Sequence, residues 1–292
     1  MRLHLIDGTY ELFRAHFSKR PPHAGPKGED LKATVGLVSS LLNLLSDPSE
    51  RPTHLAVAFD NPIRSFRNQL FDGYKTEVGV PEELLAQFDL AELATAALGV
   101  KVWSMGEFEA DDALASGAAR FAAQVEQVRI LTPDKDLGQC LSGTRVVQVD
   151  RMRSKVIDET ALRALRGIGP ASIPDWLGLV GDDADGIPGL PGFGEKGAAA
   201  VLAAFEHLEA IPDDPRRWPP NIRSRDTLAH TLAHRRKDAL LYRKLATLRT
   251  DAPIDTDLSA LEHRGVPREP FLLFCEQVGS SSLPARVERW AA

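Results

Sequence analysis

The chain has 292 residues, 43% of them hydrophobic, and a formal net charge of −6. That length suits one large domain or two of ordinary size, and the apolar content supports a packed core. Only two cysteines are present, Cys140 and Cys275, in no zinc-ligand spacing, which excludes a disulfide framework and fits a reducing cytoplasm. The N-terminus does not read as a signal peptide, and no apolar run approaches the ~18 residues of a membrane span. The acidic balance runs against the basic footprint of a nucleic-acid binder, unless the acids are gathered in one place.

The first strand-like run, LHLID, covers residues 3–7. Residues 32–45 carry apolar positions at i, i+3, i+4 and i+7 and read as a helix. Strand-like runs follow at 54–60, 100–105, 128–134 and 144–150, with helical stretches at 82–98 and 111–124 between them. Strands spaced by helices predict a mostly parallel sheet with helices on both faces. Beyond about residue 165 the strand signals fade. Glycine and proline crowd a tight hairpin within 181–205, whose second half reads as a helix. Residues 211–221 form a proline-rich connector, 226–248 a long helix, and the tail is weakly patterned.

In sheets of this class the working site forms beyond the carboxyl ends of the strands. The first strand is expected to end in Asp7, the second in Asp60 and the fourth in Asp134, while Glu109, Asp111 and Asp112 open the helix after the third. No strand leads into a glycine-rich phosphate loop, so dinucleotide and P-loop readings lack their cradle. Any one of these acids is ordinarily a turn former or helix cap. Together, with Asp136, they put acids from four strand-associated places on one edge. Crowded carboxylates repel and raise each other's pKa values unless a cation intervenes. An all-carboxylate set suits Mg²⁺ or Mn²⁺, and two such ions clamp a phosphodiester for in-line attack.

Five motifs in order, LIDGTYELFRAHF, AFDNPIRSFRNQLFDGYK, FEADDALAS, ILTPDKDLGQCL and GLVGDDADGIPGLPGFGEKGAA, resemble the 5′-nuclease (flap endonuclease) family. The form resembled is the N-terminal domain of bacterial DNA polymerase I, here in its stand-alone version. The resemblance implies a PIN-like α/β core over 1–165, with a short helical arch about 64–98, and a helical DNA-binding region over 166–292. It implies metal ligands at Asp7, Asp60, Glu109, Asp111, Asp112, Asp134 and Asp136, and adds Asp182 and Asp185 from GDDAD. Setting those nine acids aside leaves a mildly basic remainder.

The same resemblance implies that Arg67 and Lys75 lie near the scissile phosphate and neutralise charge developing there. Tyr74 either stacks on a base or anchors its segment. The run YKTEVGVPEE is short and acidic where relatives often carry a further basic residue, so an abbreviated arch is expected. The GIPGLPGFGEK segment resembles a helix-hairpin-helix in its helix-three-turn-helix form. There Gly189, Gly192 and Gly194 allow close backbone approach, Lys196 adds charge, and hairpin carbonyls hold K⁺. The basic residues between Arg216 and Lys237 extend that face or simply meet solvent, and His230 with His234 reads as a surface pair.

The expected function is a Mg²⁺-dependent (or Mn²⁺-dependent) 5′→3′ exonuclease and flap endonuclease. Its expected partner is DNA with 5′ flaps, nicks or free 5′ ends, and it is expected to act as a cytoplasmic monomer with no membrane partner. A PIN-like ribonuclease and a catalytically inactive DNA-binding protein are the alternatives.

Overall fold

A computed structural model of the chain describes every residue except Arg51. Its strands are β1 (Arg2–Asp7), β2 (His54–Asp60), β3 (Lys101–Met105), β4 (Gln127–Leu131), β5 (Val146–Asp150) and β6 (Lys155–Ile157). Its helices are α1 (Gly8–Phe17), α2 (Lys32–Ser46), α3 (Arg67–Leu70), α4 (Glu82–Leu85), α5 (Phe88–Ala97), α6 (Ala110–Phe121), α7 (Glu159–Arg166), α8 (Ile173–Val180), α9 (Glu195–Phe205), α10 (Arg225–Ala246) and α11 (Arg268–Gln277). The chain forms two compact units. The first comprises Met1–Ser65, Glu77–Thr132 and Thr250–Ala292, and the second Phe66–Thr76 and Pro133–Arg249.

In the first unit four strands pair in parallel in the order β3-β2-β1-β4. Parallel neighbours share a face, so Leu5, Ala56, Ala58 and Trp103 lie on one side, and Ile6, Val57 and Phe59 on the other. A Cβ on Gly117 of α6 would collide with Trp103 and Leu5, and one on Gly8 of α1 with Phe59 and Val57. Thus α6 covers one face and α1 the opposite one. Coverage on both sides is why β2 is buried at every position and reads as a near-continuous apolar run. Leu3, Leu5, Ile6 and Phe59 are fully buried, each contributing roughly 1.5–3 kcal/mol of transfer free energy.

Two expected elements end differently. The run 128–134 leaves the ladder at Leu131, because Pro133 has no N–H to continue it. Asp134 instead caps a 3-10 helix, Lys135–Cys140. The helix expected over 82–98 divides into α4 and α5. At the break Gln87 turns inward: its Oε1 accepts from the N–H and hydroxyl of Thr34, both at 3.0 Å, and its Nε2 donates to Glu83 O.

The second unit is mainly helical. Helices α8 and α10 approach so closely at Gly178 that a Cβ there would lie 2.8 Å from Arg243 N and 2.9 Å from Ala239 O. Trp176, Leu177, Ala239 and Leu245 are buried in the same cluster. Beneath it Asp175, 2% exposed, accepts from Leu208 N–H and Arg243 and meets His207 Nδ1. The long helix predicted at 226–248 is α10, which departs from helical geometry at Arg235. β5 and β6 form an antiparallel pair.

One buried polar group in the first unit carries a pH signature. His4 Nε2 lies 2.9 Å from Glu50 Oε2, and Arg129 donates to the same carboxylate at 2.7 and 3.0 Å. The carboxylate can only accept, so His4 Nε2 carries a proton and donates it. The hydrogen bond from His4, assisted by Arg129 and opposed by burial, holds Glu50 down at about 2. Burial is the main cause that lowers His4 below its ordinary 6.5. On acidification the unfolded chain therefore takes up a proton at His4 first, then one at Glu50 below its ordinary 4.5, and both uptakes favour unfolding. Urea-unfolding midpoints are expected to fall from pH 6.5 downward, and His4→Gln is expected to reduce the slope between 6.5 and 4.5, where burial-lowered His54 and His263 also contribute. An unaltered slope in that variant would assign the acid sensitivity to other groups.

Candidate metal centre and nucleic-acid interface

In the first unit the acids sit where the strands stop. Asp7 Oδ1 accepts the N–H of Tyr10 at 2.8 Å and so caps α1, while Oδ2 accepts the Thr132 hydroxyl at 3.0 Å. Asp60 Oδ1 accepts the N–H of Ala110 at 2.8 Å, which ties the end of β2 to the start of α6. The N–H of Asp60 donates to Thr9 Oγ1. Glu109 and Asp112 form a reciprocal capping box on α6, and the Ser65 hydroxyl donates to Glu109 Oε1 at 2.6 Å. Asp7, Asp60, Glu109 and Asp112 are buried and Asp111 is half-buried. The ordinary capping role and the edge location thus coexist: the caps fix where each carboxylate points. Among the described residues, no three of these five bring oxygens as close together as the triad below.

The second unit holds the other four acids. Asp136, Asp182 and Asp185 present oxygens all within 4.8 Å of one another. Asp134 is exposed, and its Oδ1 accepts the N–H of Asp136 at 2.9 Å. Asp136 is 3% exposed, and its Oδ1 is buried with no hydrogen-bond partner. Burial, then the charges of Asp134, Asp185 and Asp182, push its carboxyl well above the ordinary range. An orphaned carboxylate oxygen among like charges is the donor set a hard divalent cation satisfies, so these residues fit a metal. Two lysines already pair with the set. Lys135 Nζ lies 3.0 Å from Asp182 Oδ2, and Lys75 Nζ lies 3.0 Å from Asp185 Oδ1. Although burial opposes it, the hydrogen bond to Asp182 and the acids around it raise the pKa of Lys135.

The segment carrying Lys75 is fixed by backbone contacts. Lys75 N–H donates to Asp185 O at 3.0 Å, and a Cβ on Gly186 would overlap Gly73 O. Two other side chains of this segment, Tyr74 and Arg67, are buried. Tyr74 is 4% exposed within the apolar cluster of the second unit, so it anchors the segment and offers no face to a base. Arg67 is 1% exposed. Its Nε donates to Leu245 O at 2.7 Å and Nη2 to Thr247 O at 3.1 Å, bracing the carbonyl end of α10. In this arrangement its charge meets the negative end of a helix dipole.

The hairpin between α8 and α9 closes through paired bonds between Asp182 and Ile187 and through Leu190 N–H to Leu179 O at 2.7 Å. Gly189 has φ +66, and a Cβ there would strike the Val180 carbonyl, so this turn requires glycine. Gly192 has φ +85 with space around it, and nothing lies within 4 Å of a Cβ placed on Gly194. Gly194 caps α9 without a side-chain bond, and Lys196 in that first turn is exposed. Much of the later basic stretch is paired locally: Arg216 with Asp214, Arg235 with Asp238, and Arg236 with Asp213 and the carbonyl of Ile211. His230 and His234 are exposed, their ring centroids 4.0 Å apart.

Sequence reasoning passed over Thr9, Ser65, Thr132 and Lys135. Each lies inside or next to an acidic motif, and hydroxyls or ammonium groups adjoining clustered acids are the signal that would have found them.

Acid-tipped parallel strands, a carboxylate triad that could hold a metal ion and a helical hairpin are the features of an α/β nuclease. The chain belongs to the 5′-3′ exonuclease family: residues 2–166 match the family's N-terminal resolvase-like domain and residues 168–269 its C-terminal SAM fold. DNA polymerase I of Bacillus caldotenax is 33% identical over 294 residues, 98% of this chain, which spans only 32% of that protein's length. The 5′-3′ exonuclease of Aquifex aeolicus is 32% identical over 210 residues, 72% of this chain and 71% of that one. Among solved structures, zinc-bound T5 5′-exonuclease superposes with a TM-score of 0.66 at 17% identity, covering 95% of this chain and 98% of that one. The shared fold is PIN-like α/β with a helical C-terminal region. Among the described residues, no helix is long and apolar enough to cross a membrane.

Replacing Arg67 separates bracing from phosphate contact. Arg67→Met leaves the carbonyls of Leu245 and Thr247 without these donors and is expected to lower stability by roughly 1–3 kcal/mol in urea titration. A variant as stable as the parent but slower in cleavage would return Arg67 to the phosphate.

Proposed function

We propose that the chain is a divalent-metal-dependent, structure-specific 5′ nuclease of DNA, acting in replication or repair. It removes nucleotides from free 5′ ends and nicks and cuts 5′ flaps. The observation that carries the metal dependence is the triad of Asp136, Asp182 and Asp185, with the Asp136 oxygen buried and unpartnered. Family membership supports 5′→3′ polarity. The preference for Mg²⁺ or Mn²⁺ over zinc rests on the all-carboxylate donor set.

We assign one cation to Asp134, Asp136, Asp182 and Asp185, and a second to Asp7, Asp60, Glu109, Asp111 and Asp112. Bound cations would supply charge neutralisation at the phosphodiester and a water made acidic enough to attack it. The protein's own groups do the rest. Hydroxyls of Ser65 and Thr132 hold Glu109 and Asp7 in orientation. Lys75, paired with Asp185 and 22% exposed in its side chain, would be a cation that contacts the scissile phosphate. The uncapped start of α9 offers amide N–H groups, with Lys196 beside them, to a duplex backbone without reading its bases. Residues 166–292 would then grip DNA, and 1–165 would provide most of the metal ligands.

The test is a panel of labelled 5′-flap, nicked, blunt-duplex, single-stranded and RNA substrates with Mg²⁺. Asp136→Asn is expected to lower flap cleavage by about 10²–10³-fold, the scale of losing one electrostatic element of a site, while duplex binding in the absence of metal persists. Equal activity in variant and parent would sink the metal mechanism. Cleavage confined to RNA would replace the DNA reading with a ribonuclease.

A further inference from the structure

Lys135 has no assigned part in the chemistry, yet it stands between Asp134 and Asp136 in sequence and bonds to a third acid of the set. Its Nζ occupies Asp182 Oδ2 at 3.0 Å, and the other oxygen of Asp182 accepts the N–H of Ala184 at 3.0 Å. Both oxygens of that carboxylate are therefore engaged by the chain itself. The ion pair is substantial: Asp182 is 10% and Lys135 30% exposed in their side chains. Lys75 holds Asp185 Oδ1 in the same manner. Of the three carboxylates able to converge on one cation, two carry a lysine ammonium, and the third carries the orphaned oxygen.

We propose that Lys135 is an internal competitor for the Asp136–Asp182–Asp185 site, contending with a divalent cation for Asp182 Oδ2 and so weakening the hold on that cation. The inference rests on the metal reading of the preceding section. Lysine suits the role as a compact point charge on a flexible stem, able to leave one oxygen without disturbing the backbone. A cation binding here must displace the ammonium from Asp182 or share the oxygen with it, and in either case it meets one positive charge at close range. Removing that charge leaves the same carboxylates with a more negative field and no rival. Tighter binding follows, by about tenfold, the order set by one close charge pair screened nearly as in bulk water.

Mn²⁺ binding to the full chain without DNA, followed by electron paramagnetic resonance of the free ion, tests this directly. Lys135→Gln and the near-isosteric Lys135→Met are each expected to bind Mn²⁺ about tenfold more tightly than the parent, and charge-retaining Lys135→Arg to stay near it. Asp182→Asn is expected to weaken binding. Thermal melts of each variant establish that it is folded, and Lys135→Met carries the test if Lys135→Gln is not. If Asp182→Asn weakens binding while both neutral Lys135 variants bind as weakly as the parent, competition by Lys135 is overturned and the metal site stands. If Asp182→Asn leaves Mn²⁺ binding unchanged, the ion does not use this carboxylate, and the site and the competition fall together.

Discussion

Repulsion among ionised carboxylates is the constraint around which the functional part of this chain is built. An acid left loose beside its neighbours would protonate or swing into solvent. Here named donors hold most of the acids. Asp7 takes a backbone N–H and a threonine hydroxyl, Asp60 an N–H from the start of α6, Glu109 a serine hydroxyl, and Asp182 an ammonium and an N–H. Asp136 differs: one oxygen has no donor at all. Helix caps, a 3-10 turn and two lysines together keep negative charge concentrated without unfolding what surrounds it.

The scaffold answers that constraint with rigidity. Strands covered on both faces do not shift along their axes, so a carboxylate at a strand end keeps its height above the sheet. In the second unit the same stiffness comes from glycine. Gly178 lets two helices touch backbone to backbone, and Gly189 lets the hairpin fold against Val180. Arg67 adds a buried clasp on the last carbonyls of α10.

Much of this was legible in the sequence. Alternating apolar runs and helical periods pointed to the four parallel strands of the first unit, and the acids ending β1 and β2 were visible as soon as the strands were. Where the expectation slipped, a side chain intervened. Pro133 ended a strand early, and Gln87 broke one helix into two by turning toward Thr34. Short helices such as α1 and α8 were hidden because α1 begins directly on a motif residue and α8 follows a 3-10 turn at Pro170–Ser172, each with too few turns for a clear period. Motif resemblance was least informative about burial. It grouped Arg67 and Tyr74 with Lys75, but a shared motif does not say which side chain faces inward. Tyr74 and Arg67 turned in, and Lys75 stayed partly accessible.

The contact between Gly186 and Gly73 sets a rule for variation at this end of the second unit. Two peptide planes meet there with no side chain between them, and the N–H of Lys75 is bonded to the carbonyl of Asp185. The distance from the lysine's backbone to the triad is therefore set by main-chain thickness, a quantity that substitution cannot tune. A longer or shorter cation at position 75 would find its anchor immovable and would have to absorb the whole difference in its own torsions. Redesign of this region, for altered metal or altered substrate, has freedom in side chains around the seam and none in the seam itself.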